Sequence, residues 1–226
     1  PGISFSGPRF AARKSFRAAK TATRTSVFER TRRAGRGGVE TAYNVPALSS
    51  TRELLAFLAR NLSLGGAGKL ARAMAYIADC SASPRETKQA LVLGLPHRYG
   101  GYGLGIPHMN FEVKANPAVR AMTGKRSFRL DLCWPGAKLD VEYQSRFSHE
   151  GEAARLSDSR RANALMAMGW TVVGVTNEEL DSLAATDAIA NTILQQLGKR
   201  AQVRTPDYHA RKLKLRRQLG LPAGRM

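Results

Sequence analysis

FRLDLCWPGAKLDVEYQ, residues 128–144, consists of two short runs of alternating residues joined by a turn. The first run sets Phe128, Leu130, Leu132 and Trp134 on one side and Arg129, Asp131 and Cys133 on the other. The second alternates Leu139, Val141 and Tyr143 with Asp140, Glu142 and Gln144. A period of two means strands. Pro135, Gly136, Ala137 and Lys138 supply turn chemistry between them, so the two strands fold back as an antiparallel hairpin with Trp134 opposite Leu139. In that register Asp131 lies directly opposite Glu142, on the same face, with Cβ atoms about 5 Å apart.

Two opposed carboxylates repel, and a covering helix raises the cost. A hard divalent cation with oxygen ligands is the simplest compensator, since Mg²⁺ is commonly held by one or two carboxylates plus water and phosphate. The other reading is a solvated sheet face on which Asp131 pairs with Arg129 or Lys138. Spacing alone leaves both open.

The formal net charge of +19 is concentrated at the two ends of the chain. Residues 1–38 carry ten Lys/Arg against the single acid Glu29, and residues 199–226 carry nine against Asp207. Between them, 39–198 holds 17 basic and 15 acidic residues, which is nearly neutral. Basic ends around a balanced core point to a polyanionic partner, because each phosphate contact releases counterions. Nucleic acid is the leading candidate. No run approaches 18 apolar residues and no hydrophobic signal core is visible, so a soluble protein is expected. The first twenty residues are Arg-rich and acid-free, a composition shared by organellar transit peptides and solvated arms; the arm is the preferred reading. Cys80 and Cys133 are too few for a disulfide framework or a cysteine zinc site, which fits a reducing, cytoplasmic setting.

Four regions follow from the pattern. Residues 1–48 read as a basic, flexible or weakly helical arm. Residues 49–80 form a small helical region, with Ser50 or Thr51 as cap and Leu54, Leu55, Phe57 and Leu58 as its apolar stripe. It either packs on the next domain or reads DNA. Residues 81–198 are the main domain, and 199–226 a basic tail. Within the main domain, Ser83, Pro84 and Glu86 give a helix start with a capping-box acid. The glycines of GGYGLG (100–105) make a turn into an edge strand near Asn110 to Lys114; the run lacks the ending of a phosphate loop. Gly151 to Met168 reads as a helix on which Asp158 and Arg161 either pair with each other or face the site. Trp170 to Val175 reads as a central strand covered on both sides. Thr176 and Glu179 open a final helix through Leu197. The helix between Gln144 and Trp170 makes the strands it joins parallel. The sum is an α/β fold: a three-layer α/β/α sandwich with a mixed sheet.

An Asp on one strand, Glu-x-Gln on the next, a preceding helix with a Glu, and a following helix, strand and helix resemble the PD-(D/E)xK nuclease superfamily, with its restriction-endonuclease-like core. The ordered set SPRET, RLDLCWPGAKLDVEYQS, His149, Asp158 with Arg161, and GWTVVGVT is similar to its DUF559 and very-short-patch-repair (Vsr-like) branch. The likeness spans about residues 81–198. It implies that Asp131 and Glu142 bind Mg²⁺ or Mn²⁺, that Glu86 is the acid of the first helix, and that His149 is the histidine following the second strand. Gln144 stands where the superfamily usually has Lys.

The activity implied is metal-dependent hydrolysis of DNA. Gln144 can hydrogen-bond a water but brings no positive charge, and His149 is a candidate acid/base or phosphate contact. Candidate phosphate contacts are Arg129, Lys138, Arg146 and Arg161 around the hairpin and Arg211, Lys212 and Lys214 near the C-terminus. Two further readings stay open: a regulator or defence component that keeps the fold and binds nucleic acid without cutting it, and an RNA-binding protein with no divalent requirement.

Overall fold

The structure, a computed structural model, describes residues 30–34, 38–42, 47–144, 152–200 and 202–223, with side chains described within 47–144, 156–200 and 202–223. Strands β1 (Arg30–Ala34) and β2 (Gly38–Ala42) pair antiparallel, with Ala34 opposite Gly38. These paired strands lie within the stretch expected as a basic arm.

Helix α1 (Thr51–Arg60) begins at a full capping box between Ser50 and Glu53, and Thr51 binds Asp79 through its N–H and hydroxyl at 2.9 and 2.6 Å. Then come α2 (Ala67–Ala73), α3 (Pro84–Gly94), β3 (His108–Lys114), α4 (Pro117–Thr123), β4 (Ser127–Trp134) and β5 (Leu139–Gln144). The chain continues through α5 (Glu152–Ala167), β6 (Thr171–Thr176), α6 (Asn177–Asp181), α7 (Leu183–Gln196) and α8 (Tyr208–Gln218). Among the described residues no helix is long and apolar enough to cross a membrane.

The fold is mixed α/β. Strands β3, β4, β5 and β6 lie side by side in that order, the first three antiparallel and β5–β6 parallel. The hairpin register contains Trp134 opposite Leu139, and α5 connects the parallel pair, both as expected. Trp170 to Val175 was expected at the sheet centre; β6 is instead an edge strand. Its apolar run has a different cause: Val173 and Val175 join one core cluster while Val172 packs on the other.

The two clusters lie on opposite faces of the sheet. One gathers Val92 and Leu93 of α3 and Ile193 of α7 onto Leu132, Leu139 and Val141. The other gathers Val119 of α4 and Ala164 and Leu165 of α5 onto Phe128, Leu130 and Cys133. Thus Phe128 and Leu130 do not share a face with Leu132, and the uniform alternation expected for β4 breaks at Asp131. Strand β3 breaks at the same place, since Met109 belongs to the first cluster while Phe111 and Val113 pack on the second. The cause is local. Asn110, between Met109 opposite Leu132 and Phe111 opposite Leu130, has φ +48°, a left-handed conformation that Asn tolerates better than most residues. One such residue turns the side-chain alternation over.

The helix expected from Thr176 to Leu197 is two helices. Its capping box at Thr176 and Glu179 forms, but Ser182 ends α6 and caps α7 through the Ala185 N–H. Carbonyls freed at that break find a donor in Arg216, only 2 % exposed, whose guanidinium reaches Leu180 O at 2.8 Å and Asp181 O at 2.6 Å. Over Tyr208–Gln218 the basic C-terminal stretch, expected as a helix end or a tail, is a packed helix.

Candidate active site

Pairing between β4 and β5 stops at Leu132 opposite Val141, one step short of the two acids. Here the strands separate. The next rung is supplied by a side chain, as Asp131 Oδ2 accepts a 2.9 Å hydrogen bond from the Tyr143 N–H. Asp131 is partly buried, and its carboxyl is pushed up to about 7, first by burial and then by the charges of Glu142 and Glu86; the Tyr143 N–H and Arg161 oppose the shift. The three acids are near enough to act on one another, but the direct Asp131–Glu142 rung expected of the hairpin is not part of the ladder.

Asp140, one rung below on β5, was passed over in the sequence. It is 0 % exposed, and neither carboxyl oxygen has a hydrogen-bond partner among the described residues. Burial raises its pKa well above the carboxylate range, with Glu142 and Asp131 adding to the rise. Glu142 is close enough to act on it directly, yet no hydrogen bond of good geometry joins the two; burial is the firmer cause. The available signal was in plain view: in LDVE, Asp140 and Glu142 alternate onto one face.

Arg161 of α5 settles the question of its partner. It donates to Glu142 Oε1 and to the Arg129 carbonyl rather than to Asp158, which is exposed. Its guanidinium also sits 6.0 Å from the Phe128 ring centroid. The arginine thus joins the covering helix to the sheet and occupies one side of the glutamate.

Glu86 both caps and connects. Its N–H donates to Ser83 Oγ, while its carboxylate accepts from Ser83 Oγ at 2.9 Å, Ala82 N–H at 3.1 Å and Asn110 Nδ2 at 2.8 Å. Arg129 Nε donates to Asn110 Oδ1 at 2.8 Å, so one asparagine links the helix acid to the sheet. Gln144 is exposed and lies across Gly174 of β6, where an added Cβ would come within 2.6 Å of its Nε2. The missing side chain gives the carboxamide its place, on the same side of β5 as Glu142.

His149 and Arg146 lie outside the described residues. Of the other candidate phosphate contacts, Lys138 is exposed but donates to the Met168 carbonyl at 3.0 Å, near the end of α5. Arg211 is exposed and donates to the Pro206 and Arg98 carbonyls. Lys212 is buried, binds Asp187 at 2.5 Å and rests against the rings of Tyr102 and Tyr208, so it serves packing instead of a surface contact. Lys214 is exposed. Among the described residues no three His, Cys, Asp or Glu side chains form a ready-made metal cage.

No protein-family model matches the chain. Two curated proteins of Mycobacterium tuberculosis, strains CDC 1551 / Oshkosh and H37Rv, both described as uncharacterized, are each 27% identical to it over 110 residues. The match covers 49% of this chain and 36% of each relative, so the chain spans about a third of the length of the curated relatives it matches. No solved structure matches.

Proposed function

We propose that the chain is a metal-dependent DNA endonuclease of the PD-(D/E)xK type, on a restriction-endonuclease-like core related to the DUF559 and Vsr-like branch. One observation carries the reading: strands β4 and β5 part at Asp131 and Glu142, and the orphaned carboxyl of Asp140 is buried beside them. A protein that only binds phosphate has no use for acids gathered at such a point.

The donor set suits a cation that takes one or two carboxylates and completes its shell with water and phosphate, as Mg²⁺ or Mn²⁺ does. Asp131 and Glu142 would hold it. Bound there, the metal supplies charge neutralisation at a phosphodiester and a water of lowered pKa. The chain's own residues do the rest. Arg161 holds Glu142 from the helix side and keeps its carboxylate on the sheet face. Gln144, seated over Gly174, orients a water by hydrogen bonding where a lysine would also add charge. Glu86, through Asn110, fixes the strand bend beside Asp131.

A second reading is favoured by the same Arg161. An arginine already paired with Glu142, together with Gln144 in place of Lys, suits a nucleic-acid-binding regulator or defence component that keeps the fold without hydrolysis. Supercoiled plasmid with Mg²⁺ or Mn²⁺ separates the two. Metal-dependent nicking, absent in EDTA and in Glu142→Ala, supports the nuclease. Measurable binding with no cleavage of DNA in either metal sinks it and leaves the regulator.

A further inference from the structure

Beside the acids, on the face covered by α5, lies a cavity of about 310 Å³ that none of the roles above uses. Met122 at the end of α4, Lys125 just beyond it, Phe128 at the start of β4, and Leu156, Arg160 and Arg161 of α5 form its walls; the rest of its lining is hydroxyl-bearing, with no acid. Its volume falls at the lower end of the range of small-molecule sites.

Its chemistry is divided. Met122 and Leu156 are 58% and 51% exposed and line the same cavity as the buried Phe128, so its apolar part is open to solvent. Around this apolar patch stand two exposed cations, Lys125 and Arg160, with no acidic partner among the described residues. Lys125 Nζ sits 6.0 Å from the Phe128 ring centroid. A flat apolar body flanked by anionic groups matches both halves, and a nucleotide out of its stack has that form.

Arg161 fixes where such a nucleotide sits relative to the acids. It is at once a wall of the cavity and the partner of Glu142, so a strand with one base in the cavity carries its neighbouring phosphodiester toward the carboxylates. We infer that this cavity receives an unpaired nucleotide of the DNA strand, its base against Met122, Leu156 and Phe128 and its phosphates against Lys125 and Arg160. The inference rests on the nuclease reading for its substrate; its structural basis is the cavity.

Binding is measured in EDTA, by anisotropy, with a fully paired duplex and the same duplex carrying one unpaired 2-aminopurine. The bulged duplex is expected to bind about tenfold more tightly, because the unstacking cost is already met. Met122→Ala combined with Leu156→Ala, both at exposed positions, should bring the preference below about twofold while paired-duplex affinity holds. Lys125→Ala with Arg160→Ala should weaken binding to the bulged duplex. Equal affinity for the two duplexes, or a preference that survives the Met122/Leu156 variant, overturns the inference. Nicking of plasmid without this preference leaves the nuclease and removes the pocket; preference without hydrolysis in any metal leaves the pocket and removes the nuclease. Absence of binding to either duplex removes both.

Discussion

The Tyr143 N–H donates to Asp131 Oδ2 at 2.9 Å, so a carboxylate takes the position of a ladder acceptor where β4 and β5 part. Asp131 is therefore structural, whatever its part in the candidate site. Replacing it with Ala leaves the Tyr143 N–H without this acceptor and should cost about 1–3 kcal/mol. Asp131→Asn keeps an acceptor and removes the charge that burial disfavours, so at pH 7 it should be at least as stable as the wild type. Urea denaturation at pH 7 in EDTA compares them; equal losses for Ala and Asn would show that the bond contributes nothing.

The same carboxyl predicts a pH dependence. Its folded pKa, about 7, lies above that of an exposed aspartate, so folding favours the protonated form. That contribution is complete below about pH 4 and is lost as pH rises through about 7. In EDTA the protein should be more stable at pH 5 than at pH 8, and Asp131→Asn should flatten the difference. Asp140 is shifted in the same direction, so Asp140→Asn should raise stability at pH 8 by about 1–3 kcal/mol. A wild type that gains stability from pH 5 to 8, with the Asn variants doing the same, would contradict the buried-acid account.

Arg161→Ala releases Glu142 and removes the cation closest to the acids. Both partners of the pair are about one-fifth exposed, so screening limits the loss to about 1–2 kcal/mol. A double-mutant cycle with Glu142→Gln isolates the pair. A coupling energy near zero would mean that Arg161 is held by the Arg129 carbonyl alone.

Gly174→Ala separates stability from function. The new methyl meets only the far end of Gln144, a flexible group, so stability should change by less than about 0.5 kcal/mol. If the chain nicks DNA as proposed, nicking should still fall severalfold as the carboxamide is displaced. Unchanged nicking would remove Gln144 from the reaction.

Much of this was legible in the sequence, for local reasons. The turn residues at 135–138 fixed the hairpin register, and serine or threonine followed by glutamate marked the starts of α1, α3 and α6. The bend at Asn110 was not legible, because an asparagine inside an apolar run gives no sign that its φ will be positive. Ser182 looked like an ordinary helical position; only the loss of continuity after Asp181 shows it to be a cap. Asp140 was visible but unweighed, since its importance comes from having no partner, which is a tertiary property. Lys212 read as a candidate phosphate contact, and nothing in a run of Lys and Arg tells that it and Arg216 will be buried.

Arg216 also decides where the domain stops. By charge, the chain after Gly198 is an appendage. By its hydrogen bonds it completes the Ser182 junction, and Leu213, Leu215 and Leu221 are buried with it. A fragment trimmed at Gly198 to shed basic residues would strip donors from the Leu180 and Asp181 carbonyls and open an apolar flank to water. Such a piece would be a weakened truncation, not a minimal folded unit.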